Sequence, residues 1–562
     1  MSGSGKCCGN FPKLVAGLVF CSFFTQAYGQ FIVQPMIIEE QPRPGVHYKT
    51  ELLLQNWSRT ETQVISLKVI DLGQNENGSW NTIKEGDPTV DLSKLLSCRA
   101  WVKMAKPEIQ VPPMGSAPVK IDLPIPRNAR GFHSAAIVAQ LVPRDRGDTG
   151  ISMQVALVVP VLLSVQGGAE RHHVTLNDAG LHVQAESGEN SESTLVSLAI
   201  ENTGSTYSRL ECYARLKKIT GKTSRVVFPK VDFQKVGIIP GSRINLKADL
   251  EQSLPSGHYQ VIGALYVDGR RVKGVEKDIH FIGAGKASEL KRQALISVVP
   301  DTIKIANTPG RVKTGLLSIQ NESDQAVTIE IKSMIPVTMK GKVIGNTLAE
   351  DLSCVEWLDF TPKTFTLRSF GKRNVRLSAR MPNMDSDHGG FYATLDVRAL
   401  HADKSRAGRA EVTVAVTNDQ ITASPILSAK ALKLARTTGS KYVVTSRFSN
   451  EGEVHVAPKA TARLYTFEEN ALVAQMPLET NQDGIMLPFD TWDYSGEIDF
   501  SKLEPDIYIL ETAMEATGLA AAVMPKRKEI AVYREGEHMT AVIRGDAANR
   551  GGTGAGGVIT SW

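Results

Sequence analysis

Two stretches decide how this chain is read: SCRAWVKMAKPEIQVPPMGSAPV, from Ser97 to Val119, and SCVEWLDFTPKTFTLRSFGKRNV, from Ser353 to Val375. Both open Ser-Cys-x-x-Trp and both run on to a proline, a glycine and a valine. Cys98, Trp101, Gly115 and Val119 recur 256 positions later as Cys354, Trp357, Gly371 and Val375. Upstream, FIVQPMIIEEQPRPGVHYKTELLLQNWS matches LISVVPDTIKIANTPGRVKTGLLSIQNES at a separation of 265: Pro35 with Pro300, Gly45 with Gly310, Asn56 with Asn321. The change from 265 to 256 makes one internal loop nine residues longer in the first copy. Both copies then reach Gly-Phe, at Gly131-Phe132 and Gly390-Phe391. So many positions in register imply duplication, and a repeat governs every later fold argument.

A second pair lies between and after these copies. VSLAIENTGSTYSRLECYARLKK (Val196 to Lys218) resembles VTSRFSNEGEVHVAPKATARLYT (Val444 to Thr466), with Asn202 and Gly204 matching Asn450 and Gly452 at a separation of 248. The chain therefore reads A-B-A′-B′.

At 562 residues it is too long for one core. Hydrophobic content is 42% and mean hydropathy is −0.13, an ordinary globular balance. In TQVISLKVIDL, Ile65, Leu67 and Val69 face one way and Val64, Ser66, Lys68 and Ile70 the other, the period of a half-buried strand. About seven such runs per A copy, separated by Asn, Ser, Pro and Gly turns, predict an antiparallel sandwich of immunoglobulin-like type. The expected fold is all-β, with four tandem immunoglobulin-like sandwiches: A over 30–166, B over 167–285, A′ over 286–418 and B′ over 419–543. Short linkers predict an elongated string with limited hinge motion. The glycine-rich 544–562 reads as a flexible tail.

Residues 1–29 read as a signal peptide. Lys6 and Lys13 precede the apolar LVAGLVFCSFF, and Ala27 and Gly29 supply small positions before a cut. The apolar core is too short to span a bilayer, and no later run implies an integral membrane segment. Cleavage removes two lysines and no acid, taking the formal charge from +5 to +3. A chain so near neutrality offers no phosphate-tracking surface, so nucleic acid is not an expected partner. Cys98, Cys212 and Cys354 survive cleavage and read as free, buried thiols, a Cys98–Cys354 bridge being the alternative.

The search for chemistry returns no catalytic, cofactor-binding or metal-ligating set. Strand neighbours point to opposite faces, so His172 and His173 cannot chelate together. No nucleophile elbow, zinc helix or phosphate loop is present. DLGQNENGSW carries oxygen ligands but no closing glutamate for calcium.

LLLQNWS, AWVKMAKPEIQV and GSAPVKIDLP together resemble the first domain of periplasmic pilus-assembly chaperones, within the wider class of bacterial envelope proteins with tandem immunoglobulin-like domains. The resemblance implies a sandwich fold, an exported location in the periplasm or outside the cell, and other envelope or surface proteins as partners.

The expected function is therefore non-catalytic: binding or helping to assemble other surface proteins, with a sandwich edge accepting a partner strand. The candidate contacts are Trp80, on the long loop between Leu72 and Asp91, and the apolar edge residues Met153, Val155, Leu157 and Val159. Trp80 reads either as an exposed anchor or as a ring tucked back. Two alternatives stay open: a structural spacer or adhesin subunit, and a polysaccharide-binding accessory protein.

Overall fold

Period-two burial organises nearly every ordered segment. The computed structural model describes residues 31–83, 96–142, 156–185, 192–286, 290–344, 347–383, 387–516 and 522–547. These residues are almost entirely β-strand joined by turns and loops, with two short 3₁₀ turns at Arg99–Trp101 and Val355–Trp357. The first body contains β1 (Phe31–Gln34), β2 (Ile38–Glu40), β3 (His47–Asn56), β4 (Gln63–Gln74), β5 (Trp80–Ile83), β6 (Lys103–Met104), β7 (Glu108–Val111), β8 (Ser116–Pro124), β9 (Gly131–Leu141) and β10 (Ala156–Val165). One sheet runs β1-β3-β8-β6; the other runs β2-β10-β9-β4-β5, with β7 also on β4. Leu52, Leu54, Ile65, Leu67, Ile121 and Ile137 interdigitate between them.

Pro35 explains why β1 and β2 belong to different sheets. Proline cannot donate to a ladder, so the entering strand breaks there. β1 pairs antiparallel with β3 (Phe31 opposite Asn56), and β2 pairs parallel with β10 (Ile38 opposite Val161). At Pro300 the same break recurs: Ile296 stands opposite Asn321 and Ile303 opposite Val414. The large apolar clusters draw on residues 31–165, 174–281, 294–416 and 427–541 in turn.

Four buried asparagines hold equivalent turns. Asn56 Nδ2 donates to the Glu61 and Val111 carbonyls at 2.7 and 3.0 Å, while its Oδ1 accepts from Ser58 N–H. Asn321 bonds Gln325, Arg368 and Ser323 in the same way. Asn202 and Asn450 each donate to a carbonyl four residues on, at 2.8 Å, and accept from Gly204 and Gly452. An asparagine satisfies donors and acceptors that a turn would otherwise leave bare in an apolar setting.

Trp101 and Trp357 each close a 3₁₀ turn and half-bury against their own cores. Their neighbours correct one detail of the sequence register. Cys98 N–H donates to the Ser134 carbonyl at 3.0 Å and Cys354 N–H to that of Tyr392 at 3.1 Å. The separation here is thus 258, so His133, not Phe132, corresponds to Phe391. Trp101 lies over His133 and Trp357 over Phe391, both with ring centroids 4.6 Å apart.

The turns before β8 and its counterpart place the left-handed residue at Met114 (φ 50°) and Phe370 (φ 54°), not at the glycines that follow. Gly115 and Gly371 are required for space: an added Cβ would come within 2.6 Å of the Pro112 ring or 2.9 Å of the Arg368 carbonyl oxygen. Gly45 and Gly310 do need their freedom, both at φ 77°. Cys98, Cys212 and Cys354 are free and buried in three separate clusters, so the Cys98–Cys354 bridge is not formed. Burial pushes the Cys212 thiol up to about 12 and the other two further in the same direction.

The elongated string is not what forms. The last β-rich body touches all three others. Arg43 Nη2 of the first body donates to the Asp546 carbonyl, Arg436 O accepts from His172 N–H at 3.2 Å, and Phe489 O from Lys342 Nζ at 3.0 Å. Short linkers constrain where neighbours begin, but the complementary faces decide how they pack.

Candidate functional site

β10 carries the edge on which the sequence reading rests. Its pairing with β9 covers all ten residues, from Ala156 opposite Gln140 to Val165 opposite Gly131. On its other side β2 pairs only Val161, Leu162 and Leu163. Among the described residues no strand pairs the outer side of Ala156–Pro160. Ala156 is exposed, Leu157 and Val158 are half-buried, and Val159 and Pro160 are buried.

Two prolines limit the cover. Val161 corresponds to Val414, so Pro160 corresponds to Thr413, whose N–H donates to the Asp301 carbonyl at 2.9 Å. Pro160 has no such N–H. β2 also stops two residues before Pro42, whereas the strand Thr302–Asn307 continues for six paired rungs.

The matching edge in Arg406–Asn418 is guarded. Arg409 and Glu411 occupy the positions of Ala156 and Val158; Arg409 reaches Asp396 at 2.6 Å and Glu411 at 2.8 Å. Charges on an edge strand discourage pairing with another chain. β10 carries none.

The candidate contact side chains divide. Val159 is fully buried in the first core and Leu157 packs against that core. What this edge offers beyond β2 is therefore backbone, with Ala156 and Val158 on the opposite face. Met153 and Val155 lie outside the described residues. Trp80 is not an exposed anchor: it is half-buried, packs beside Leu72, Phe132 and Ile239, and sits 6.1 Å from the Tyr207 ring. The hairpin between β4 and β5 docks on the next body, with Gln74 Nε2 donating to Gly237 O at 2.5 Å and Asn245 N–H to Glu76 O at 2.5 Å.

Behind β2 lies a charged junction that sequence reasoning missed. Glu39 accepts ion pairs from Arg209, from Lys433 at 2.9 Å and from Arg447 at 2.8 Å. Arg447 also holds Asp493 at 2.8 Å, and His172 stands 3.4 Å from Asp268. Lys433 Nζ donates to the Tyr207 carbonyl at 3.2 Å, and both Lys433 and Arg209 lie over the Tyr207 ring. Burial pushes the Glu39 carboxyl up, but Lys433 and Arg209 outweigh it and leave the group at about 2. Burial pulls Lys433 down, yet Glu39 and Asp268 hold it above its ordinary value. Asp493 goes the other way: burial, reinforced by Asp268 and Glu39 against the pull of Arg209, raises it to about 7. The junction ties β2 to the second and last bodies.

Among the described residues no group of three or more His, Cys, Asp or Glu is placed to hold a metal ion. No helix among them is long and apolar enough to cross a membrane.

No family model and no curated protein matches the chain. Among solved structures it is similar to the CupB2 chaperone of Pseudomonas aeruginosa at 12% identity, over 41% of this chain and 98% of that one, with a TM-score of 0.21. It is similar to the E. coli chaperone DraB at 10% identity, over 41% and 95%, with a TM-score of 0.21. The PapD-like domain 7 of human CEP192 matches at 17% identity, over 22% and 84%, with a TM-score of 0.17. The likeness to PapD-like domains is weak and repeated.

Proposed function

We propose that this is an exported, non-catalytic envelope protein built of four immunoglobulin-like sandwiches in the order A-B-A′-B′, and that it holds other surface proteins by accepting a strand at the edge of β10. The observation that carries the reading is the bare outer side of Ala156–Pro160, uncharged where Arg409 and Glu411 guard the matching strand. Strand addition needs an unpaired backbone row beside a firm sheet. β10 has the row at Ala156 and Val158, with Pro160 adding only a carbonyl, and its full pairing with β9 supplies the sheet. The basic start and short apolar run of residues 1–29 support export.

The junction bears on the spacer alternative. A body that folds back against three others contributes little length, which favours a holding role over a spacing one.

The test is Ala156→Arg in the exported, full-length protein. Ala156 is exposed, so the variant should unfold at the wild-type midpoint while its yield of co-purified envelope protein falls at least tenfold. Unchanged capture would remove the β10 edge from the reading. Self-assembly of the wild type into filaments would favour the spacer, and retardation in polysaccharide gels would favour the carbohydrate alternative.

A further inference from the structure

His258 and His280 form a cross-strand pair on the second body, away from both the β10 edge and the charged junction. They stand directly opposite one another on the antiparallel strands Pro255–Val267 and Val275–Ala284. Tyr259, next along the first strand, is fully buried in the second core, so alternation sends His258, and with it His280, to the outer face. His280 is exposed and His258 half-buried. Their rings are parallel to within 1°, with centroids 4.4 Å apart.

The surroundings leave these rings uncommitted. Ile219 flanks His258 on the inner strand, and beyond Ile219 in the same row stands Ser224. The next row is occupied by Gln260 and Asp278, which bond each other at 3.1 Å. Neither imidazole has a hydrogen bond or ion pair among the described residues.

Two imidazoles fixed at this spacing suit a borderline divalent transition ion. With metal–nitrogen bonds of about 2.0–2.1 Å, two nitrogens on one ion lie roughly 3–4 Å apart; the lone pairs of parallel rings lie in parallel planes, so each imidazole turns by roughly 30–45° about its side-chain bonds to reach a shared ion, a turn that the outer face leaves room for. The sheet register holds both ligands in advance, which lowers the ordering cost of binding. Water completes the shell, since among the described residues no third protein ligand is grouped with the pair. We propose that His258 and His280 form a two-histidine surface site for a divalent transition ion, with Cu²⁺ held most tightly, as the stability order for nitrogen ligands requires. This site lies on another body from the β10 edge and stands independently of strand capture.

The test is calorimetric titration of the full-length exported protein with Cu²⁺ and, separately, Zn²⁺. It is run beside His258→Gln, His280→Gln and, as a control, the exposed His47→Gln. The expected result is one Cu²⁺ site, weakened at least tenfold and equally by either substitution of the pair, untouched by the control, and weaker for Zn²⁺ than for Cu²⁺. Unchanged metal-free unfolding midpoints will show that the variants fold. Wild-type Cu²⁺ affinity in either variant of the pair would overturn the assignment.

Discussion

Glu39 and Lys433 are 394 positions apart in sequence and 2.9 Å apart in space. That ion pair ties a three-residue strand of the first body to the interior of the last. Arg209 and Arg447 complete the ring around the same carboxylate. Removing one member of a buried pair leaves an uncompensated charge, at roughly 3–5 kcal/mol. Glu39→Gln should therefore destabilise the protein by about that much in urea unfolding, and Lys433→Met in the same background should restore part of the loss. A Glu39→Gln cost below about 1 kcal/mol would show the cluster to be solvent-screened rather than buried.

Acid should weaken the junction in a definite window. Glu39 titrates at about 2 in the fold, below its ordinary 4.5, so its contribution is present above the unfolded value and is lost as pH falls through 2. The Glu39→Gln variant should accordingly converge with wild type between pH 4.5 and 2, followed by thermal unfolding across that range. A gap that stays constant to pH 2 would contradict the assignment.

Glu170 predicts the opposite slope. Burial raises its carboxyl to about 7, against the opposing pull of Lys433 and Lys528. A raised acid disfavours the fold increasingly as pH climbs from the unfolded value through the folded one. Glu170→Gln should match wild type near pH 4 and exceed it at pH 8, by on the order of 1–3 kcal/mol once solvent screening is allowed for. Equal stability at pH 8 would show that Glu170 is charged at no cost.

The asparagine turns give a prediction free of electrostatics. Asn450→Ala removes the donor that satisfies the Val454 and Met486 carbonyls. Leaving buried acceptors bare should cost roughly 1–3 kcal/mol, and Asn202→Ala about the same, because the two turns are built alike. A large cost at one and none at the other would separate the two turns energetically.

These corners were legible in the sequence because turn chemistry is local: Asn-x-Gly and Asn-x-Ser bond their own neighbours wherever they fall. The strands were legible for a similar reason, since Ile65 and Leu67 declare their face by alternation. The junction was not, because Glu39, Arg209, Lys433 and Arg447 come from four strands and no local pattern joins them. One signal was present. Lys433 sits between Leu432 and Leu434 in ILSAKALKLARTT, a lysine inside an apolar run that demands a partner. Trp80 was ambiguous because loop length alone does not say what a loop meets. The one-residue slip at Gly-Phe arose because identical dipeptides outweighed the hydrogen-bond register, which only the pairing of Cys98 with Ser134 reveals.

The most direct measurement places a photoreactive amino acid at Ala156 and, in a second protein, at Val158, then maps the crosslinks formed in the native envelope. A strand added along β10 must run beside it at one register. Both probes should mark the same partner segment, at positions two residues apart. Crosslinks scattered over unrelated segments, or none at all from either probe, would contradict it.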